Sequence, residues 1–402
     1  MQTKISDQYI NTSLGKHADD ILRRCVHCGF CNATCPTYQL LGDELDGPRG
    51  RIYQIKEVLE TQQASAKTQL HLDRCLTCLN CETTCPSGVK YGQLLDIGRK
   101  IVDGKRKRPL KESILRTAIA NIVPYTQRVR FLLNSLKRFK WILPKSLRDY
   151  LPEKQGLAEP NAKNHKRKML MLDGCVQPAV APNINIALMI LLDKMGVSII
   201  RVNSAVCYGA LSHHLSDHNK AQVFMRKNID AWWPYIENDV ESIITSASAC
   251  SLFLKDYERL LVDDSEYAHK AKRISALSKD VSEVIDFDDL PVSTGQYSGK
   301  NIAFHSPCTL QHGLGVKGRV ESLLSHMGMN LLPIKDAHLC CGAAGTYSIL
   351  HKELSQALRT NKLNSLQYAS PDIIATANIG CLLHLKGASN VPVKHWIELL
   401  VD

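Results

Sequence analysis

The sequence predicts a multidomain α+β chain of 402 residues, an α-helical N-terminal domain followed by two related α/β halves. Three observations carry this. Eight of the fifteen cysteines fall into two runs of one grammar, Cys25-x2-Cys28-x2-Cys31-x3-Cys35-Pro36 and Cys75-x2-Cys78-x2-Cys81-x3-Cys85-Pro86, the second 50 residues after the first. The segments around those runs place apolar residues at helical spacing. Beyond Lys168, short apolar runs alternate with helical stretches, and the alternation occurs twice with cysteines at matching offsets.

The two runs have the spacing of a bacterial two-cluster ferredoxin, in which the fourth cysteine of each run serves the other [4Fe–4S] cluster. Two-residue gaps let three thiolates wrap three irons of a cube. The fourth iron faces away, within easier reach of the partner run, and the proline turns the chain off the cluster. Cys25, Cys28, Cys31 and Cys85 are therefore expected on cluster 1, and Cys75, Cys78, Cys81 and Cys35 on cluster 2. Zinc takes ligands as separated pairs, and neither zinc nor disulfides uses all eight thiols as economically. The implied chemistry is electron transfer.

Fifteen cysteines with no apolar leader in Met1-Gln2-Thr3-Lys4-Ile5-Ser6-Asp7 suit a reducing compartment. No stretch approaches the roughly 20 apolar residues of a membrane span. The expected place is the cytoplasm, or the cytoplasmic face of the inner membrane. The net charge of +11 is concentrated: residues 104–168 hold 18 Lys/Arg against 4 Asp/Glu, and the rest of the chain 32 against 35. With the charge confined to one linker and no recognition motif elsewhere, nucleic acid is not an expected partner.

The helical domain is assigned to residues 1–103. His17–Arg24 leads into the first run, Pro48 opens a helix in which Ile52, Ile55, Val58 and Leu59 share a face, and Tyr91–Arg99 is a third helix. Residues 104–168 form a basic connector. Lys105-Arg106-Lys107-Arg108-Pro109 reads as solvated. Val129, Leu132, Leu133, Leu136, Phe139 and Leu143 then recur every three or four residues among Arg and Lys, with Trp141 near the end. A basic amphipathic helix of this kind suits peripheral contact of residues 126–145 with an anionic membrane surface, or docking on a partner.

Residues 169–297 and 298–402 are the two α/β halves, Rossmann-like in their parallel βαβ pattern. Strands are expected at Met169–Leu172, Val197–Ile200 and Ile243–Thr245, and again at Ile302–Phe304, Leu331–Ile334 and Ile373–Thr376. Cys175 to Cys207 and Cys308 to Cys340 both span 32 residues, and the next gaps are 43 and 41, an internal duplication with a period near 133. Strand C-termini of a parallel sheet share one edge. Cys308, Cys340, Cys341 and Cys381 can converge there as ligands of a third iron–sulfur cluster, or remain packed thiols. The first half offers Cys175, Cys207 and Cys250, with Cys207-Tyr208 where the second has Cys340-Cys341, and packing is their expected role.

The chain resembles the cysteine-rich-domain electron-transfer subunits that serve oxidation of glycolate, lactate and glycerol 3-phosphate and reduction of heterodisulfides, and among these the glycolate oxidase iron–sulfur subunit family. The words that carry the resemblance are the two cysteine runs, Gly47-Pro48-Arg49-Gly50-Arg51, Gly174-Cys175-Val176-Gln177-Pro178, His338-Leu339-Cys340-Cys341-Gly342-Ala343-Ala344-Gly345-Thr346-Tyr347-Ser348, Ala377-Asn378-Ile379-Gly380-Cys381-Leu382 and His395-Trp396-Ile397-Glu398-Leu399-Leu400. The resemblance implies an electron-transfer subunit with no substrate chemistry of its own. Flavoprotein subunits of the same complex would oxidise glycolate, and electrons would pass through this chain toward membrane quinone, directly or indirectly. Related alternatives are the equivalent subunit of a lactate or glycerol-3-phosphate dehydrogenase, and a self-contained reductase of a disulfide or quinone. The family's closing Cys-x2-Cys is reduced here to Cys250-Ser251-Leu252-Phe253 and Cys381-Leu382-Leu383-His384. In heterodisulfide reductases the extra thiols help hold non-cubane clusters, so their loss argues for a simpler relay.

Gly313-Leu314-Gly315-Val316-Lys317-Gly318 matches a dinucleotide fingerprint, but Cys308-Thr309-Leu310-Gln311-His312 intervenes between its first glycine and the strand that the fingerprint's tight turn must follow. Among the histidines, His27, His213, His214, His305, His312 and His395 read as satisfied or exposed, and His384 alone as a candidate ligand. No nucleophile–base constellation, and hence no catalytic residue, emerges.

Overall fold

The computed structural model describes residues 1–138, 141, 151, 156–160, 163–290 and 295–401. The Thr12 side chain accepts from the Gly15 N–H and opens the helix Ser13–Arg24, which buries Ala18, Ile21 and Leu22. Pro48 opens the helix Pro48–Thr61, and the face expected from its spacing, Ile52, Ile55, Val58 and Leu59, is buried. That face meets the helix Tyr91–Lys105 at Gly98, where a Cβ would lie 2.6 Å from Ile55 Cγ1, so glycine lets the two helices close on each other. The cysteine runs lie in the segments between these helices, with Cys31 and Cys81 on the short helices Phe30–Ala33 and Asn80–Thr84.

Arg108 departs from the expected solvated run. Its guanidinium bridges Asp73 and Asp103, both across 2.5 Å, and Glu112 at 2.8 Å, with its side chain 12% exposed. The helix Leu110–Ile122 follows it, and Thr126–Arg138 after that. In the latter, Val129 is buried, Thr126 Oγ1 donates to the Cys175 carbonyl at 2.8 Å, and Phe131 is 76% exposed. Of the amphipathic stretch expected to reach Leu143 and Lys145, residues 139–140 and 142–145 lie outside the described residues. No helix among the described residues is long and apolar enough to cross a membrane.

Each α/β half is a four-stranded parallel sheet. The first contains β1 (Arg167–Met171), β2 (Val197–Arg201), β3 (Ser242–Thr245) and β4 (Ser278–Asp280) in the order β2-β1-β3-β4. The second contains β5 (Asn301–His305), β6 (Asn330–Leu331), β7 (Ile373–Thr376) and β8 (Val393–His395) in the order β6-β5-β7-β8. The duplication read from the cysteine spacing is therefore a duplication of topology. The expected strands are all present, with β6 shortened because Pro333 cannot donate to the ladder. The edge strands β4 and β8 were not expected: Ser278-Lys279-Asp280 and Val393-Lys394-His395 lack an apolar run.

The halves share one core. Met169, Leu188 and Ile244 of the first pack in the same cluster as Ile302, Phe304, Leu323 and Trp396 of the second. The glycine fingerprint is spent on this packing. A Cβ at Gly313 would lie 2.4 Å from Leu252 of the first half, and Gly318, at φ 74°, caps the helix Arg319–His326.

Candidate metal centres

Four residues in the left-handed region wind the chain around the N-terminal cysteines. His27 (φ 57°) and Gly29 (φ 84°) in the first run are matched 50 residues on by Thr77 (φ 53°) and Leu79 (φ 60°). Thr34 Oγ1 and Thr84 Oγ1, also 50 apart, meet at 3.1 Å, so the two runs face each other in a pseudo-symmetric pair. This pairing crosses the runs. Cys25, Cys28, Cys31 and Cys85 line one cavity of about 440 Å³, part of it open to solvent. Cys35, Cys75, Cys78 and Cys81 line a second of about 300 Å³, and Cys81 reaches both.

The electrostatics follow the same grouping. Burial, then Cys25, Cys28 and Cys85, together push the Cys31 thiol up to about 11. Burial, then Cys78, Cys75 and Cys35, raise Cys81 well above the ordinary thiol value. Four thiols crowded into one cavity oppose one another's ionisation, and a bound cationic centre reverses this. The donor set, five cysteines lining the first cavity and four the second with Cys81 shared and no side-chain carboxylate lining either, fits thiolate-held iron–sulfur groups.

The second cavity is also lined by Arg51, which is 0% exposed and donates to the His71 carbonyl at 2.7 Å and to Thr37 Oγ1 at 3.2 Å, with Asp46 at 3.4 Å. Its charge faces Cys75 and Cys35. Gly50 permits this placement, since a Cβ there would lie 2.1 Å from the Glu44 carbonyl oxygen. The word Gly47-Pro48-Arg49-Gly50-Arg51 is thus a structural support beneath the second cysteine set.

The C-terminal cysteines also gather. Cys308 Sγ lies 4.0 Å from Cys340 Sγ, and Cys341 is near enough to both Cys340 and Cys381 for their thiols to oppose one another's ionisation. Asn378 Nδ2 donates to Cys381 Sγ at 3.6 Å, and the Gly342 N–H to Cys340 Sγ at 3.4 Å. The Lys362 ammonium, 3% exposed, donates to the carbonyl of Asp336 at 2.8 Å and faces Cys341, Cys340 and Cys308. Gly342 sits at φ 87°, and a Cβ there would lie 2.7 Å from the Ser355 carbonyl oxygen, so glycine admits the helix Lys352–Gln367.

This site abuts the second N-terminal set. Cys78 and Cys308 are packed into one small apolar cluster with Leu76, Cys340, Tyr347 and Leu358. Asn80 Nδ2, just after Cys78, donates to the His338 carbonyl at 3.2 Å, and His312 Nε2–H donates to the same carbonyl at 2.9 Å. Cys28, by contrast, is the exposed member of the fifteen cysteines.

In the first half, Cys175 faces Cys207 and Cys250 closely enough to oppose their ionisation, and Tyr208 faces Cys250. Tyr208 occupies the place of Cys341 and closes that corner with a ring. Of the histidines, His384 turns away from the cysteines to Ser355, with Nε2 3.2 Å from Oγ and 3.3 Å from the carbonyl oxygen. His305 was expected to be satisfied or exposed and is neither. It is 2% exposed, neither ring nitrogen has a hydrogen-bond partner among the described residues, and its ligand atom lies within 4.8 Å of those of Cys341 and Cys381. The signal was present in the sequence, since His305 falls 133 residues after Leu172.

Comparison with known proteins agrees with this architecture. Residues 21–89 match the 4Fe-4S dicluster domain, and residues 169–255 and 302–386 each match the cysteine-rich domain. The chain is 49% identical over 401 residues to the glycolate oxidase iron-sulfur subunit of Escherichia coli (strain K12), covering 100% of this chain and 98% of that one. It is 30% identical to the "probable glycolate oxidase iron-sulfur subunit" of Bacillus subtilis (strain 168), covering 95% and 94%. A crystal structure of a hypothetical protein from Helicobacter pylori shares the fold at 11% identity, with a TM-score of 0.53 over 98% of this chain and 72% of that one. With a dicluster domain, two cysteine-rich domains and near-complete coverage at half identity, the chain belongs to the glycolate oxidase iron–sulfur subunit family.

Proposed function

We propose that this chain is the electron-transfer subunit of a flavin-dependent glycolate dehydrogenase complex, relaying electrons from separate flavin-bearing subunits toward membrane quinone. Support for glycolate comes from the names of the relatives at 49% and 30% identity. The observation that carries the relay is that Cys78 and Cys308 both pack against the small cluster of Leu76, Cys340, Tyr347 and Leu358 and that Cys308 opposes the ionisation of Cys78, which makes the second N-terminal set and the C-terminal set neighbours.

In this reading Cys25, Cys28, Cys31 and Cys85 hold cluster 1; Cys75, Cys78, Cys81 and Cys35 hold cluster 2; and Cys308, Cys340, Cys341 and Cys381 hold a third centre. An iron–sulfur cluster supplies one-electron redox steps without making or breaking substrate bonds. The chain's own residues set the path. Exposed Cys28 gives the first set its contact with a partner. Arg51 and Lys362 place buried positive charge beside the second and third sets, opposing the negative charge of their thiolates. The apolar packing of Leu76, Tyr347 and Leu358 keeps water from the junction.

Anaerobic purification of the tagged chain from its native membranes tests the reading. Flavin-bearing chains should co-purify, glycolate should bleach the iron–sulfur absorbance of the complex, and the isolated chain should not respond to glycolate. A chain that purifies alone and itself reduces a disulfide or quinone would instead be a self-contained reductase.

A further inference from the structure

We propose that His305 is a nitrogen donor to the metal centre of the C-terminal half, so that Cys308, Cys340, Cys341, Cys381 and His305 form one mixed nitrogen–sulfur site. The inference rests on the reading of that half as a metal centre.

Three observations carry it. His305 is the last residue of β5 and pairs with Thr376 at the end of β7, so it stands at the sheet edge to which the loops bearing Cys341 and Cys381 return. Its ligand atom and the sulfurs of those two cysteines all lie within 4.8 Å of one another, and all three residues are buried. Both its ring nitrogens lack a hydrogen-bond partner among the described residues, although the side chain is 2% exposed. A buried imidazole left unpaired at both nitrogens is costly, and each such group calls for a reason.

The duplication supplies an internal control. At the period of 133 that relates Cys175 to Cys308 and Cys207 to Cys340, His305 corresponds to Leu172 and Cys341 to Tyr208. Two of the three members of the triad are therefore exchanged together. Where the first half has lost the second cysteine it has an apolar leucine at the strand end; where the second half keeps the cysteine, it has the imidazole. Leu172 also shows that an apolar side chain is compatible with the fold at this position, since it is buried in the core of its own half. The histidine is thus not a requirement of strand packing.

A nitrogen donor has a consequence for the relay. Imidazole is neutral where thiolate is negative, so an iron held by His305 in place of one of the four thiolates would carry less negative charge, and such an exchange raises the potential of an iron–sulfur centre. The C-terminal site would then lie above the all-thiolate N-terminal sets in potential and draw electrons away from them.

The test uses the full chain, purified anaerobically with 15N-labelled histidine, and pulsed EPR of its reduced form. The C-terminal signal is identified as the part of the spectrum missing from the Cys340→Ser/Cys341→Ser variant. The parent should show nitrogen coupling in that signal, and His305→Leu should lose it. His305→Cys should keep the centre without the coupling and lower its midpoint potential relative to the parent. A parent C-terminal signal without histidine coupling, or coupling that persists in His305→Leu, overturns the assignment while leaving the metal centre in place. A parent with no C-terminal signal and about eight irons per chain overturns the metal-centre reading as well, and the two failures are told apart by the iron content.

Discussion

Ser246 of the first α/β half and His395 of the second, 149 residues apart, are joined by a 2.9 Å hydrogen bond in which His395 Nε2–H donates to the Ser246 carbonyl. The other ring nitrogen, Nδ1, accepts from the Ile397 N–H at 3.4 Å and caps the short turn Trp396–Leu399. One nitrogen faces an acceptor and the other a donor, so the ring fits only as the neutral tautomer protonated at Nε2. The closing word His395-Trp396-Ile397-Glu398-Leu399-Leu400 is therefore a clasp between the halves.

The clasp predicts a pH dependence. His395 is 0% exposed, and burial pushes it down to about 3. In the unfolded chain it titrates near 6.5, so between those values the unfolded state binds the extra proton. Its contribution is complete above about pH 6.5 and is lost progressively as pH falls toward 3. At pH 5.5 the loss is about 1.4 kcal/mol relative to pH 8. Denaturant midpoints of parent and His395→Asn at the two pH values measure it: the parent should lose more stability on acidification by about that amount, and equal losses would show that His395 is not the titrating group.

The crossed arrangement of the N-terminal cysteines predicts which signal a single substitution disturbs. Cys85→Ser should damage the centre of Cys25, Cys28 and Cys31 and spare that of Cys75, Cys78 and Cys81, although Cys85 belongs to the second run. EPR of the reduced variant decides. A perturbed second centre beside an intact first would undo the crossing.

These two cases show what was legible beforehand. The cysteine runs place metal chemistry locally, and the period of 133 places the sheet duplication, because both are patterns of spacing. His395 and Arg51 could be marked only as parts of resembling words, since their partners lie 149 and 20 residues away and across packed elements. The edge strands β4 and β8 carry no apolar alternation, and Arg108 has the composition of a solvated run while three carboxylates enclose it. A lone histidine at a strand end has no metal-ligand spacing of its own, and the exchange of His305 against Leu172 at the period of 133 marks the position without its role; its burial and its bare nitrogens arise only when β5 and β7 pair.

The basic helix predicts a salt effect. Thr126–Arg138 exposes Phe131 and Leu132, and Trp141 is 77% exposed, while Val129 and Thr126 fasten the helix to the body of the protein. Exchange of Phe131 and Trp141 for Ser should weaken sedimentation with anionic vesicles several-fold without bleaching the iron–sulfur absorbance. Raising salt to about 0.5 M should weaken the parent's binding too, because the attraction of Lys and Arg is screened. Binding unchanged by both would leave this face without a membrane role.

Gly342 predicts a selective loss. In Gly342→Ala the new Cβ meets the Ser355 carbonyl and a left-handed backbone that alanine disfavours. The cost should be about 2–4 kcal/mol, most of it in prising away the helix Lys352–Gln367. Gly345→Ala, at φ 59° with open space around it, should cost only about 1 kcal/mol. Thermal midpoints and iron content of the two variants should separate them, with Gly342→Ala losing C-terminal iron first. Equal effects would mean that strain alone, and not the approach of the helix, sets the requirement for glycine.

The last prediction concerns the end of the relay. Cys308 and Cys340 approach to 4.0 Å, their hydrogen bond and burial raise Cys308 far above the ordinary thiol value, and Cys78 of the second N-terminal set packs into the same cluster. Thiols so placed are poor nucleophiles as they stand and become good ligands once a cation holds them deprotonated. Exchange of both Cys340 and Cys341 for Ser should therefore remove about four irons per chain and leave the N-terminal EPR signals intact. If the chain receives electrons from a flavin-bearing partner as proposed, glycolate should continue to bleach the N-terminal absorbance of the complex while quinone reduction is lost. That split between intact entry and lost exit assigns the C-terminal cysteines to the outlet. Iron that stays near eight per chain in both parent and variant would make them structural and end the relay at the helical domain.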